Sequence, residues 1–552
     1  MQPTRDLLKG HRNHGTPLFP WDHYFTTMAE GDVALGRGEE LAVKSWFVRK
    51  GPSDSPFLFF GGLSRCLQVF QDLRTDTPVF LRGMREMGAG RPLLEYLREH
   101  KRLSLRVYAP PEGSVFVPHE PVVTLEGPLP FMRLAEGILI TECNFPSLQM
   151  TVAHRVLRAG LPGAVLEFGR RRAQDPYRST LYSYMAGIPL TSNDEIREIW
   201  DIPVTGTMGH EWIQGFGKSH LYRCEKYTQY FTDHNEYKTW VRQFGSELAS
   251  FDAWLEAHPD KPILLVDTIN TLQSGIPNAI LAFKHHQERI KKAGGIPGVR
   301  LDSGRLGWLA LAAVKMLNQA HLSEARIVLS GDLDEFRMQQ IKQEIRDQAK
   351  EFGLEAEKVI SRIIWGVGTR LVTCANDPSL NAAAKLMAVS DFATIKISDT
   401  AIKSSIPGNN RSAWICVGDE LLCVLVYSVR DHEVRNGELV DRRTGKIVET
   451  LVVYDKDEGY KSLRIPPGYR AEPRQRLVFD SISGGGILWK NLGQKTLDYV
   501  ITHVRKEVSR LHPATLTLHN PWPIKLSLTP ELSELRQTMM KARVLREDLL
   551  CL

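Results

Sequence analysis

Cysteine is scarce in this sequence and shows no pairing. The seven residues, at 66, 143, 224, 374, 416, 423 and 551, are odd in number and none forms C-x-x-C. That argues against a disulfide framework and a zinc site, and suits reduced thiols in the cytoplasm. Long apolar runs are also missing. The window 306–315 falls short of the ~20 residues a spanning helix needs, so no membrane association is expected. The opening Met1-Gln-Pro-Thr-Arg-Asp6 has no apolar core, and no signal peptide is expected. Neither sign of charge dominates. The 70 basic and 64 acidic residues leave +6, with no Lys/Arg block, which argues against a nucleic-acid partner and is compatible with a small anionic substrate. What remains is ordinary globular composition, 42% hydrophobic and 24% charged, over 552 residues that suit two or three domains.

From about 160 to 400, short apolar runs end in small, polar or charged residues and helical stretches follow. The runs are 164–169, 202–207, 263–268, 298–303, 326–331 and 362–369, with 393–398 a weaker seventh. Amphipathic stretches lie at 276–294, 305–319 and 333–352. Strands alternating with helices imply parallel βαβ units. Six or seven units predict an irregular TIM-like α/β barrel over 151–405, its site at the carboxyl ends of the strands; an open doubly wound sheet is the alternative. Residues 1–150 mix strand-like pieces (42–48, 104–108, 121–125) with a helix near 130–158 and read as an N-terminal α+β domain. Residues 406–552 carry short strands (420–429, 446–454) and a final charged helix near 529–548, and read as a mainly β C-terminal extension.

Several strand ends carry candidate chemistry. The run 202–204 enters Gly206-Thr207-Met208-Gly209-His210-Glu211, a flexible turn presenting an imidazole. A neutral imidazole accepts a phosphoryl group, and Glu211 is placed to orient it; the plain alternative is a packed or exposed histidine. Arg300-Leu301-Asp302 puts two charges on one side of a strand. Arginine suits a carboxylate or phosphate, and aspartate a ribose hydroxyl or Mg²⁺-bound water; a buried ion pair is the alternative. Ser330-Gly331-Asp332 and Gly366-Val367-Gly368-Thr369 are turns whose N–H groups can converge on an anion, or simply tight turns. Arg170-Arg171-Arg172 at a strand end suits an anion or a solvated helix start. Asp267-Thr268 offers a ligand or a cap. Tyr24, in a polar helical start, reads by itself as a core aromatic.

Taken in order, these pieces resemble nicotinate phosphoribosyltransferase. The match runs through Asp22-x-Tyr24-x-x-Thr27-Met28, Glu136-Gly137, Glu167-Phe-Gly-x-Arg171-Arg172-Ala-Gln174, Thr191-Ser-Asn193, Gly206-Thr-Met-Gly-His210-Glu-Trp212, Val266-Asp-Thr268, Arg300-Leu-Asp-Ser-Gly304 and Gly366-Val-Gly-Thr369. It covers about 20–410. The resemblance implies the type II phosphoribosyltransferase fold and a reaction of NAD salvage. Nicotinate and 5-phosphoribosyl 1-diphosphate give nicotinate mononucleotide and diphosphate, with ATP hydrolysis coupled as in a ligase. It implies Mg²⁺, and a head-to-tail homodimer in which Tyr24 stacks on the pyridine ring in the partner's site. His210 matches the phosphorylated histidine, Thr207 and Arg300 match nicotinate-site positions, and Thr369 matches a 5-phosphate contact. Arg171, Asp267, Ser330, Gly331, Gly366 and Gly368 are the further binding candidates. Arg300 and Asp302 join His210 as the catalytic ones, with Asp302 a metal contact through water. The chain departs from the family at Arg305, where Asp is usual, and at Asp194-Glu195, where apolar residues are usual. A nicotinamide-using relative and a catalytically weak binding homologue are the alternatives. A barrel hydrolase predicts acids dominating the strand ends, and here Arg, Gly and Thr are as prominent.

Overall fold

The alternation of apolar runs and amphipathic stretches folds as parallel strand–helix units. The computed structural model describes residues 17–397, 404–488 and 496–548. The chain divides into two compact units, one of Ala153–Arg197 with Ile202–Ala375, the other of Met1–Val152, Glu198–Asp201 and Asn376–Leu552. In the first, five parallel strands run in the order Ala164–Glu167, Ile363–Val367, Arg326–Ser330, Gly298–Leu301, Ile263–Leu265. They read as apolar runs because residues on both faces are covered: Val165, Leu264, Val299, Ile327, Leu329 and Trp365 are buried on one face, and Leu265 and Val328 on the other. Helices Ile276–Lys292, Leu306–Gln319 and Glu335–Gln348 occupy the amphipathic intervals. The third begins where the Asp334 side chain accepts from the N–H groups of Phe336 and Arg337, donors a helix start otherwise leaves unpaired.

Backbone pairing forms a half-barrel sheet; the described residues do not close the expected ring. The run 202–207 is not a strand. It makes one bridge, Val204 to Thr191, which is itself bridged to Glu167. Pro203 has no N–H to donate, and Gly206 and Gly209 follow, so pairing stops there. The run 393–398 also leaves this sheet. Phe392–Ala393 pairs antiparallel with Ala382–Val389 in the other unit, and Ser398 lies outside the described residues.

The second unit draws strands from distant parts of the chain. Leu41–Val48 pairs with both Val123–Pro128 and Ala382–Val389, and Arg106–Ala109 pairs with Arg476–Asp480. Residues of 1–150 and of 406–552 therefore share one sheet. A six-stranded sheet is built from strands between Asn410 and Leu528. Among the described residues no helix is long and apolar enough to cross a membrane.

One buried carboxyl in the first unit makes stability depend on pH. Glu247, on helix His234–Ala257, is fully buried; Asn278 Nδ2 donates to its Oε2 at 3.0 Å, and Oε1 has no partner among the described residues. Burial pushes its pKa up to about 7, against the smaller opposing effect of its hydrogen bonds to Asn278 and Ser274. A carboxyl raised in the folded state stabilises fully below its unfolded pKa, and that contribution is lost as pH rises through 7. Glu247→Gln, neutral throughout, is expected to melt several degrees above wild type at pH 8, a gain of at most about 3 kcal/mol, and close to wild type at pH 5. Thermal melts at the two pH values check this. An equal gap at both would refute it.

Candidate active site

Alternation along the strand puts Arg300 and Asp302 on one side of its carboxyl end. Arg300 spends its donors on three different segments. Nε donates to Ser330 Oγ at 2.8 Å, one terminal N–H to Thr207 Oγ1 at 3.1 Å, and the other to Asp302 Oδ1 at 2.8 Å. Phe168 flanks the guanidinium, 5.6 Å from ring centroid to carbon. Asp302 also accepts from the Ser330 hydroxyl, and its backbone N–H donates to Asp267 Oδ2 at 3.0 Å. Burial pushes the Asp302 carboxyl up. The Ser330 hydroxyl, the Arg300 guanidinium and nearby His210 together outweigh that and hold it below the usual carboxylate range. Asp267 Oδ2 takes a second bond from the Ser303 hydroxyl at 2.7 Å, while its Oδ1 is buried with no partner among the described residues. A buried lone acceptor of that kind calls for a group the chain does not supply.

His210 opens the short helix His210–Gln214, and its Nδ1 lies 2.9 Å from Thr268 Oγ1. Thr268, and not the exposed Glu211, orients the ring. Consecutive residues on a helix diverge by about 100°, so Glu211 does not face its neighbour. The pocket in front of these groups is about 560 Å³, with Phe168, Arg171, Thr207, His210, Arg300 and Asp302 in its wall.

The three arginines divide. Arg170 is turned to Asn193 Oδ1 (2.8 Å) and Glu195 Oε2 (3.1 Å), which gives the acidic Asp194-Glu195 departure a structural use. Arg171 lines the pocket with no ion pair among the described residues, and Arg172 is exposed. Sequence reasoning assigned no role to Glu167, which anchors this corner. Its buried carboxylate accepts from Thr180 Oγ1 at 3.1 Å, from Thr191 Oγ1 and from the Gly169 N–H, and the Asn193 N–H donates to Thr191 Oγ1 at 3.0 Å. The available signal was a carboxylate inside an apolar strand, directly before Phe-Gly.

Other candidates sit further out. Ser330 touches both Arg300 and Asp302, and Gly331 follows it in the left-handed region at φ +97°. A Cβ on Gly331 would lie 2.1 Å from the Asp302 carbonyl oxygen. Gly331→Ala therefore costs both backbone strain and a displaced Asp302, and is expected to destabilise by about 2 kcal/mol or more in a denaturant melt; a value near zero would show that the turn gives way easily. Gly366 is a glycine because of Phe168, whose ring a Cβ would meet at 2.6 Å. Gly368 precedes the helical turn Thr369–Val372, and neither Gly368 nor Thr369 lines the pocket. Arg305 also stays out of it: 69% exposed, it pairs with Glu344 at 2.9 Å. Tyr24 belongs to the other unit, on helix His23–Ala34, and is no core residue: it is 53% exposed, its ring 4.0 Å from that of Phe25.

Comparison with known proteins gives one consistent result. No family model matches the chain. Nicotinate phosphoribosyltransferase of Dictyostelium discoideum is 30% identical over 560 residues, spanning 96% of this chain and 89% of that protein. The protein of that name from Bacillus subtilis (strain 168) is 31% identical over 399 residues, 71% of each chain. Arabidopsis thaliana nicotinate phosphoribosyltransferase 2 is 31% identical over 432 residues, 72% of this chain and 74% of its own. The crystal structure of human nicotinic acid phosphoribosyltransferase shares the fold, with a TM-score of 0.69 at 22% identity over 94% of this chain and 99% of that one.

Proposed function

The chain belongs to the nicotinate phosphoribosyltransferase family, and from that premise we propose that it joins nicotinate to 5-phosphoribosyl 1-diphosphate in NAD salvage, releasing diphosphate, with ATP hydrolysis coupled as in a ligase. The observation that carries this reading is the Arg300 fork, braced by Thr207, Ser330 and Asp302 in the wall that also holds His210. A braced guanidinium is preorganised for a planar carboxylate. That feature favours nicotinate over nicotinamide and gives a binding homologue no particular support.

Displacing diphosphate at the ribose C1 develops positive charge on the sugar and needs phosphate charge neutralised and the ring nitrogen positioned. Arg171 lines the pocket with no ion pair among the described residues and suits the diphosphate; the Ser330–Gly331 and Gly366–Thr369 turns, outside that lining, suit phosphate oxygens. Mg²⁺ fits the acids present, because Asp267 Oδ1 is an orphaned buried oxygen and Asp302 is held ionised. Asp267 and, through water, Asp302 would hold the ion, which when bound supplies charge neutralisation for the diphosphate. His210 takes the phosphoryl group of ATP. The exposed Tyr24 ring stacks on the pyridine in a partner's site within a homodimer. The six described cysteines are all buried, as suits thiols kept reduced in the cytoplasm.

The test is product analysis by chromatography, with nicotinate or nicotinamide, 5-phosphoribosyl 1-diphosphate and Mg²⁺, with and without ATP. Nicotinate mononucleotide whose yield rises with ATP is expected. Product only from nicotinamide would transfer the reading to the amide, and no product from either would leave a binding homologue.

A further inference from the structure

The unit that lacks His210 contains a larger cleft of about 870 Å³, within the size range of small-ligand sites, and none of its lining residues borders the His210 pocket. A strand and a helix face build it. On the strand Arg470–Pro473 and the residues that follow, Arg470, Glu472, Pro473, Arg474 and Arg476 line the cleft. On helix Leu497–Ser509, Tyr499, His503, Lys506 and Glu507 fall on one face. Arg510 follows directly and also lines the cleft.

Some of these charges hold the wall together. Buried Glu507 takes two guanidinium N–H groups from Arg474, which also donates to the Val115 carbonyl at 2.9 Å. Arg510 grips Glu472 through two bonds, 2.6 and 3.0 Å. Both arginines lie over Trp414, at 4.0 and 5.0 Å from its ring centroid. Two cations have no such duty: Arg476 and Lys506 are exposed and make no ion pair among the described residues. Arg474 is 9% exposed, and its Nε is buried without a partner among the described residues. At the same helix face the Tyr499 ring is 45% exposed, nearly parallel to His503 at 6.2 Å. Of the three lining carboxylates, Asp419, Glu472 and Glu507, two are already engaged, against five lining cations, so the surplus is positive.

We propose that this cleft binds a phosphate-bearing ligand with a planar ring, of the nucleotide class, with Arg476 and Lys506 on the phosphate and Tyr499 against the ring. A guanidinium fork and a mobile ammonium are the two side-chain forms that take phosphate. A half-exposed phenol ring offers a stacking face at little conformational cost. Surplus positive charge excludes a bare metal cation. The inference stands on this cleft alone and does not depend on the reaction at His210.

Hydrogen exchange of the full-length protein with AMP, which is not a reactant in the proposed chemistry, tests it. AMP at millimolar concentration is expected to slow exchange in 470–476 and 497–510, more than inorganic pyrophosphate does. Arg476→Glu with Lys506→Glu, both at exposed positions, is expected to weaken AMP binding at least about tenfold with an unchanged melting temperature. The single alanine variants serve if the double variant misfolds. His210→Ala is expected to leave the protection intact. Absence of AMP protection, or protection that persists in the charge-reversed protein, overturns the proposal. So does pyrophosphate protecting as well as AMP with Tyr499→Ala silent, since the ring then plays no part. A charge reversal that alters the mass of the assembly while AMP protects nothing assigns the cleft to an acidic face of another chain.

Discussion

His210→Ala is expected to abolish the ATP stimulation of nicotinate mononucleotide formation and to leave a slow rate indifferent to ATP. Where Nδ1 carries the proton and donates to Thr268 Oγ1, the Nε2 lone pair becomes the nucleophile. Phosphorylation there adds between one and two negative charges. The imidazole is close enough to Asp302 for its charge to help lower that carboxyl, so a phosphoryl group on it changes the field at the Arg300–Asp302 cluster. ATP thereby shifts the site between states that hold 5-phosphoribosyl 1-diphosphate tightly and release product readily. Removing the imidazole removes the switch and keeps the braced Arg300 fork. With ATP present, kcat/KM for 5-phosphoribosyl 1-diphosphate is expected to fall about 10²-fold, the scale of one lost charge-stabilising group. Thr268→Val, which removes only the orienting bond, is expected to cost about fivefold. Initial rates with and without ATP decide it: ATP stimulation surviving in His210→Ala would place the entry of ATP energy on another residue.

The parallel units of 160–375 were legible because their strands are buried on both faces and their helices are amphipathic, two local patterns that tertiary contacts do not disguise. The run 202–207 reads as a strand and is not one, since Pro203 and the glycines break the ladder while leaving an apolar run in place. The sharing of one sheet by Arg106–Ala109 and Arg476–Asp480 is a long-range pairing that no local pattern reports. At the site, Arg300 and Asp302 could be read together from their spacing alone. The Thr207 and Ser330 partners of Arg300 come from segments 93 residues before it and 30 after it, and only the fold brings them into contact. Glu167 stood in the matched motif without a role because its partners Thr180 and Thr191 are themselves unremarkable in sequence. At Gly366 the fold adds a demand that residue types do not report: a Cβ there would meet the Phe168 ring at 2.6 Å.

Arg300→Ala is expected to act on substrate choice as much as on rate. The wild-type guanidinium meets three partners at once, and its removal leaves the Asp302 carboxylate and the Ser330 and Thr207 hydroxyls without their shared donor. A lost charge-assisted contact to a carboxylate costs about 2–5 kcal/mol where the partner charge is left unpaired. The KM for nicotinate should therefore rise by about 10²-fold or more. Nicotinamide has no carboxylate to lose, so its kcat/KM should change far less and the preference between the two should narrow. Arg300→Lys keeps the charge but cannot reach Ser330, Thr207 and Asp302 together, and should recover only part of the loss. The pH profile supplies an independent reading. The Arg300 cation favours ionised Asp302, so removing it raises that carboxyl's pKa and moves the acid limb of kcat/KM to higher pH. Steady-state kinetics with both substrates from pH 4 to 8 would show these effects together. An unchanged nicotinate-to-nicotinamide ratio in Arg300→Ala would mean that the carboxylate of nicotinate is held by another cation, for which unpaired Arg171 in the same pocket is the residue to replace next.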